Sequence, residues 1–271
     1  MKTTVAERKL ALITGASSGI GAAFARIAAS KGFDVALVAR REDRLESLAR
    51  DLSAEFGVTA RFRSTDLCDP EAPNSICNWI NAAGRKVDVL INNAGYSIPQ
   101  SFAGTPLSKQ LNYLELSITG PVALCRHALP GMIERGWGRI INLSSITAFS
   151  NGGKGHTLYP ASKSFIVKFS QSLNAEVAAR GVFVTAVCPG FVDTEFQQAN
   201  NMADKMSSTP KFLKQAADEV AVEAWRRNDK GVEVVVPGFL PKIAAATLKY
   251  VPEQIMTPLT RSAAEKYYVG D

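Results

Sequence analysis

Short apolar runs alternate with longer stretches of helical periodicity from near the start of the chain to beyond residue 236. Runs at 10–14, 35–39, 60–64, 87–92, 139–143, 183–187 and 232–236 have the length and content of strands, and 20–30, 44–55, 111–134, 159–179 and 218–227 read as helices. Several of these helices start or stop beside Gly, Pro or a polar cap. Alternation of this kind predicts an α/β fold: a doubly wound, seven-stranded parallel sheet with helices on both faces. There is no internal repeat, low-complexity tract or Pro- or Ser-rich linker, so residues 1–271 are expected to form one domain. Two elaborations are expected: a loop at about 190–215 beside the substrate and a tail at 238–271. The polar stretch 200–211 either covers a ligand or is a plain surface excursion.

The first strand runs into Thr14-Gly15-Ala16-Ser17-Ser18-Gly19-Ile20-Gly21 and then into a helix. A turn in this position presents free backbone N–H groups and the positive end of a helix dipole to a pyrophosphate, and glycine lets the backbone come close. The spacing is Gly-x-x-x-Gly-x-Gly, a wider first turn than Gly-x-Gly-x-x-Gly, and no Gly-Lys-Ser/Thr ending marks a P-loop. A Rossmann-type dinucleotide site is the expectation. The second strand ends Ala39-Arg40-Arg41, with guanidinium forks and no carboxylate to receive a ribose 2′-hydroxyl. That predicts NADP(H) rather than NAD(H), with Arg40 the main contact to the 2′-phosphate, Arg41 secondary, and hydroxyl donors from Ser17 and Ser18. The competing account is that both arginines simply open a charged surface helix with Glu42 and Asp43.

Composition narrows the remaining classes. The chain has 46% hydrophobic residues, enough for a large core, and no run of about 18 apolar residues. Its polar start lacks a secretory signal, and a cytoplasmic protein is expected. Four scattered cysteines without Cys-x-x-Cys and only two histidines argue against a metal site or a disulfide framework. The net charge of +6 is spread along the length, which argues against a nucleic-acid partner.

Tyr159-Pro160-Ala161-Ser162-Lys163 carries the most specific chemistry. Residues at i and i+4 share a helix face, and Pro160 suits a first helical turn, so phenol and ammonium project together. Bringing a tyrosine from its ordinary pKa near 10 to neutrality takes about 4 kcal/mol. One positive charge about 4 Å away at an effective dielectric of about 20 supplies that much.

With these motifs in this order the chain resembles the single-domain branch of the short-chain dehydrogenase/reductase family, from Leu10 to about Pro237. Asp66-Leu67 resembles the family's adenine-contacting pair, and Asn92-Asn93-Ala94-Gly95 the segment that stabilises the sheet beside the cofactor. Ser144-Ser145 closes the fifth strand, and Pro189-Gly190-Phe191-Val192-Asp193-Thr194 resembles the segment at the nicotinamide carboxamide, through Pro189, Gly190, Val192 and Thr194. The resemblance implies that Tyr159 is the general acid for carbonyl reduction and the base for alcohol oxidation. Lys163 would lower its pKa and hold the nicotinamide ribose, and Ser145 would hydrogen-bond the substrate oxygen. Those roles meet the chemical need for one proton donor and one preorganised hydrogen bond at an oxygen gaining charge.

Two departures stand out. Ser145 precedes Tyr159 by 14 residues, one more than the family spacing, so the turn 151–156 is expected to absorb a residue, with His156 exposed there or bordering the substrate. Ser117 stands where the family carries an asparagine that holds a proton-relaying water; Asn112 is on another helical face. A serine hydroxyl can hold a water with less reach and fewer donors, so Ser117 is a candidate for the relay.

Beyond the seventh strand, 242–250 and 258–268 read as amphipathic. Leu240, Ile243, Leu248, Ile255, Met256 and Leu259 are available to pack in the core or on another subunit, to line a pocket, or to meet a membrane surface. The expected activity is hydride transfer between NADP(H) and a carbonyl or secondary alcohol of a small or medium apolar substrate, with 3-oxoacyl thioesters and ketosteroids open. The alternative is a catalytically weak dinucleotide-sensing protein on the same fold. An extended-branch epimerase or dehydratase would carry Gly-x-x-Gly-x-x-Gly, which is absent. The resemblance also implies a homotetramer or homodimer pairing helices 111–134 and 159–179.

Overall fold

In the computed structural model the residues described are 8–195, 210, 213–265 and 268. Strand β1 (Leu10–Thr14) leads into α1 (Gly19–Ser30), followed by β2 (Asp34–Ala39), α2 (Glu42–Phe56), β3 (Ala60–Ser64), α3 (Ala72–Ala82) and β4 (Val87–Asn92). Next come α4 (Leu107–Leu114), α5 (Gly120–Glu134), β5 (Gly138–Leu143), α6 (Tyr159–Val177) and β6 (Val182–Val187). The short β7 (Phe191–Val192), β8 (Lys214–Gln215), α7 (Ala217–Asn228), β9 (Val234–Val235), α8 (Phe239–Tyr250) and α9 (Glu253–Glu265) complete the described chain. Seven strands form one parallel sheet in the order β3-β2-β1-β4-β5-β6-β9. The order reverses beside β1, and in such sheets the crevice outside the strand ends at that reversal receives the ligand.

Successive strand residues feed opposite cores, which is why the strands are apolar throughout. Ala11, Ile13, Val35 and Leu37 pack with Phe24 of α1, Leu45 and Leu52 of α2 and Trp225 of α7. Leu12, Ala36 and Val38 pack with Ile76 of α3, Leu124 and Met132 of α5 and Val177 of α6 on the other face. A polar chain crosses this core: Asn92 Nδ2 donates to Asn142 Oδ1 at 2.8 Å and Asn142 Nδ2 donates to Ser170 Oγ at 2.9 Å, tying β4, β5 and α6 together.

The structure departs from the sequence-based expectation in five places. Helix α3 was not anticipated: Pro73 opens it and Ile76 and Ile80 carry a short buried stripe among polar residues, too brief to stand out as periodicity. The single helix expected at 111–134 begins earlier, after Pro106, and is broken at Glu115–Thr119 by a π-helical turn. Pro121 has no N–H for the Ser117 carbonyl one turn back, so the ladder opens there. The seventh strand shrinks to Val234–Val235, and β7 pairs with β8 in a separate two-stranded ribbon. The tail helices start earlier than predicted, so that Pro241 falls in the first turn of α8 and Pro258 inside α9. Except for Pro210, the 200–211 segment lies outside the described residues. Among the described residues no helix is long and apolar enough to cross a membrane, and no cluster of His, Cys, Asp and Glu could hold a metal ion.

Candidate active site

The glycine turn sits between β1 and α1 at the sheet's reversal. Gly15 and Gly19 have positive φ of 65° and 54°. Gly21 lies so close to the strand end that a Cβ would stand 2.2 Å from the Gly15 carbonyl oxygen. Asn93 fixes the turn from below, its Nδ2 donating to the carbonyls of Thr14 and Gly15 at 3.0 and 3.1 Å, while Thr14 Oγ1 accepts from the amides of Asn93 and Ala94. No side chain caps α1 and no acidic residue occupies its first turn, so the amides that open the helix beside Ile20 keep their capacity for an anion. Gly21→Ala will therefore push the turn out of shape and destabilise the protein by about 1–3 kcal/mol in denaturant unfolding. An unchanged midpoint would show that the close approach is not needed.

Around this cradle the predicted contacts divide. Arg41, not Arg40, reaches the glycine turn: its Nε and Nη2 donate to Ser17 Oγ at 3.2 and 2.9 Å and Nη2 to Ser18 Oγ at 2.8 Å. Arg40 is exposed and lies toward Asp66 and Cys68, where its charge is felt by the Cys68 thiol. Of the two arginines at the end of β2, Arg41 is thus the one held at the serine hydroxyls. Asp66 Oδ1 accepts from the Cys68 amide at 3.0 Å, and Leu67 is buried beside it. The side-chain Nδ2 groups of Asn92 and Asn93 both donate to protein acceptors, which holds the cradle's shape; Ala94 and Gly95 follow at the end of β4, and a Cβ on Gly95 would stand 3.8 Å from Lys163 Nζ. On the far side the Pro189 carbonyl accepts from Ile146 N, Gly190 lies against Pro241, Val192 is buried, and Thr194 packs on Gly19.

Ser145, Tyr159 and Lys163 come together at the C-terminal end of β5. Tyr159 and Lys163 share the first turns of α6, and Ser145 opens the short 3₁₀ turn Ile146–Phe149, its Oγ accepting from the Thr147 amide at 3.2 Å. The Tyr159 and Ser145 hydroxyls are hydrogen-bonded. Lys163 Nζ donates to the Leu143 carbonyl at 3.0 Å and stands 5.6 Å from the centre of the Tyr159 ring. Ser144 Oγ donates to the Lys163 carbonyl at 2.8 Å.

The electrostatics differ from the simple expectation. Burial pushes the Tyr159 phenol up, Tyr113 adds to the shift, and the Ser145 hydrogen bond offsets part of it. Tyr159 is half-buried, and desolvation is the largest cause of its shift, with no cation among the causes. Burial brings Lys163 down to about 8, with the neighbouring Cys188 acting slightly the other way.

Ser117 lies in the π-helical turn, 5% exposed, and its Oγ finds no hydrogen-bond partner in the structure. Sequence reasoning missed its neighbour Tyr113, one turn earlier and fully buried. The Tyr113 hydroxyl lies 2.6 Å from Ser162 Oγ, which itself donates to the Tyr159 carbonyl at 2.9 Å. Tyr113 and Ser162 are 49 residues apart, and no local pattern links them. Asn112 is exposed, as its helical face predicts. His156 is half-buried rather than exposed, and burial lowers its pKa.

The tail folds back on the turn that precedes Tyr159. Asn151 Nδ2 donates to Thr257 Oγ1 at 2.8 Å, and Lys154 Nζ lies 4.8 Å from the Tyr268 ring centre. Leu240, Ile243, Ile255 and Leu259 remain exposed, while Leu248 and Met256 are half-buried. These side chains do not join the core.

The family described as short chain dehydrogenase matches residues 9–205, and the chain belongs to it. A 3-oxoacyl-[acyl-carrier-protein] reductase of Aquifex aeolicus is 33% identical over 187 residues, 69% of this chain and 75% of that protein. A short-chain dehydrogenase from Sphingobium yanoikuyae, solved in complex with NADPH, is 29% identical with a TM-score of 0.78 over 93% of this chain and 94% of its own. The bulky-bulky ketone specific alcohol dehydrogenase from Comamonas testosteroni is 27% identical with a TM-score of 0.74, covering 95% and 92%.

Proposed function

We propose that this protein is an NADP(H)-dependent oxidoreductase that interconverts a carbonyl and a secondary alcohol on a small or medium apolar substrate. The observation that carries the reading is the convergence of Ser145, Tyr159 and Lys163 at the strand ends, across the crevice from a glycine turn flanked by Arg41. The cradle fits a dinucleotide: glycines bare the backbone, the helix start is uncapped, and a guanidinium stands beside two serine hydroxyls. Arg40 and Arg41 favour a 2′-phosphate, and the NADPH bound by the Sphingobium protein supports the same choice. NADP(H), once bound, supplies the hydride.

The residues do the rest. Ser145 and Tyr159 direct two hydroxyls at one point, where the substrate oxygen is held and the charge arriving on it is stabilised. Tyr159, protonated through neutral pH, delivers its proton to that oxygen in reduction and withdraws it in oxidation. Lys163 places a cation behind the phenol and a donor at the cofactor's ribose. Ser117, with an unsatisfied hydroxyl in a broken helical turn, is the residue to pass a proton onward through water. The names of the Aquifex and Comamonas proteins favour a 3-oxoacyl or bulky ketone substrate, and the exposed apolar residues of the tail are in keeping with an apolar one. The exposed Phe165 of α6, stacked on the half-buried Phe169, favours a homo-oligomer paired through that helix.

Titration with NADPH and NADH by cofactor fluorescence, followed by apolar ketones and aldehydes with loss of reduced-nicotinamide absorbance, tests the reading. Preferred binding of NADPH and turnover of a bulky ketone are expected. Tight binding with no turnover in either direction across the panel would overturn catalysis in favour of a dinucleotide sensor.

A further inference from the structure

One anionic side chain already occupies the guanidiniums at the end of the cradle. Glu195, just past β7, reaches across the glycine turn so that its Oε2 lies 2.7 Å from Arg41 Nη1 and its Oε1 2.5 Å from Arg44 Nη1. Arg41 meanwhile keeps its hydrogen bonds to Ser17 and Ser18. The adjoining Thr194 lies against Gly19, where a Cβ would stand 2.8 Å from its Cγ2. The segment after β7 is thus seated on the cradle at two consecutive residues. Nothing in the strand-and-turn pattern requires a carboxylate there. The acidic residues at the start of α2, Glu42 and Asp43, are accounted for by that helix's dipole, whereas Glu195 comes from 154 residues away in sequence.

We propose that Glu195 is a built-in competitor for the 2′-phosphate: it holds Arg41 and Arg44 until a phosphate dianion replaces it, and so sets how strongly this end of the cleft distinguishes phosphorylated from unphosphorylated adenosine. This rests on the NADP(H) reading above. The exchange is feasible because the contact is shallow. The three side chains are 37–44% exposed, and ion pairs of that exposure contribute little net stability. It is also directional. A single carboxylate leaves two guanidiniums with a net positive charge, which a dianion neutralises fully, while an adenosine with a free 2′-hydroxyl gives the arginines no reason to release Glu195. The two arginines hold the Glu195 carboxyl down at about 2, so the competitor is fully charged at any working pH.

Binding of adenosine 2′,5′-bisphosphate and of adenosine 5′-monophosphate, measured by calorimetry on the wild-type chain and on Glu195→Gln, separates the outcomes without any turnover. The substitution keeps the side chain's shape on an exposed site, and a thermal melt checks the fold. The bisphosphate should bind the variant about 5- to 20-fold more tightly, since two exposed ion pairs no longer have to be broken, while the monophosphate stays the same. Unchanged or weaker bisphosphate binding in Glu195→Gln overturns the competitor role. If the wild type prefers the bisphosphate and the variant gains nothing, only this inference falls; if neither form prefers it, the NADP(H) reading falls as well.

Discussion

Tyr159→Phe is expected to bind NADPH within about twofold of the wild type and to lose roughly 10²- to 10⁴-fold in turnover, the range a positioned general acid contributes. The substitution removes one oxygen and leaves the ring that α6 presents, so the cradle, the Arg41 contacts and the Lys163–Leu143 hydrogen bond are untouched. The pH dependence carries further information. Because burial raises the Tyr159 phenol instead of lowering it, the wild-type side chain is protonated through neutral pH and ready to act as an acid. Carbonyl reduction should be level up to about pH 7 and decline through about pH 8, where Lys163 has lost half of its charge. Alcohol oxidation, which requires the phenolate, should climb with pH over the same span. Steady-state rates in both directions from pH 6 to 10 check this. Oxidation that is fastest at pH 6, or Tyr159→Phe with more than a tenth of wild-type turnover, would remove Tyr159 as the acid and base.

How far the sequence carries depends on whether a signal is local. The strands β1, β2, β4, β5 and β6 were legible because each is buried on both faces and reads as an apolar run within one or two residues of its ends. Helix α3 was lost because its buried stripe, Ala72, Pro73, Ile76 and Ile80, holds just two large apolar side chains on a polar background and is stabilised by packing on strands far away in sequence. The Tyr159–Lys163 pair was legible from helical spacing, since four residues on α6 need no tertiary information. Its electrostatics were not: the Coulomb estimate supplied the cation's pull on the phenol but omitted the desolvation of both groups, which dominates each shift. Arg40 and Arg41 show the same limit. Both could be read as anion ligands at the end of β2, but which one turns toward Ser17 and Ser18 is decided by the course of the chain into α2. Glu195 and Tyr113 escaped altogether, because their partners are distant in sequence and no motif links them.

Lys163 is where function and stability pull hardest against each other, and Lys163→Met is expected to make the cofactor-free protein more stable while abolishing measurable turnover. The ammonium is buried, with its hydrogen bond to the Leu143 carbonyl at 3.0 Å and no carboxylate among the groups that shift it. Its pKa falls from 10.5 to about 8, so in the folded state below pH 8 the charged form carries a penalty of about 3 kcal/mol relative to the unfolded chain. Between about 8 and 10.5 the unfolded chain holds the proton more tightly than the folded one, so this group makes wild-type stability rise with pH across that window and then level off. Methionine fills the same volume without charge. It also leaves the Leu143 carbonyl without its donor, at a cost of about 1 kcal/mol, so the net gain at pH 7 should be about 2 kcal/mol and should vanish near pH 10. Urea unfolding of both proteins at pH 7 and pH 10, without cofactor, measures the difference. A variant that is less stable at pH 7 would mean that the ammonium is compensated in place. A buried ammonium that lowers the stability of the fold accords with the proposed reaction, in which the cofactor's ribose and a phenol giving up its proton would be the partners of that charge.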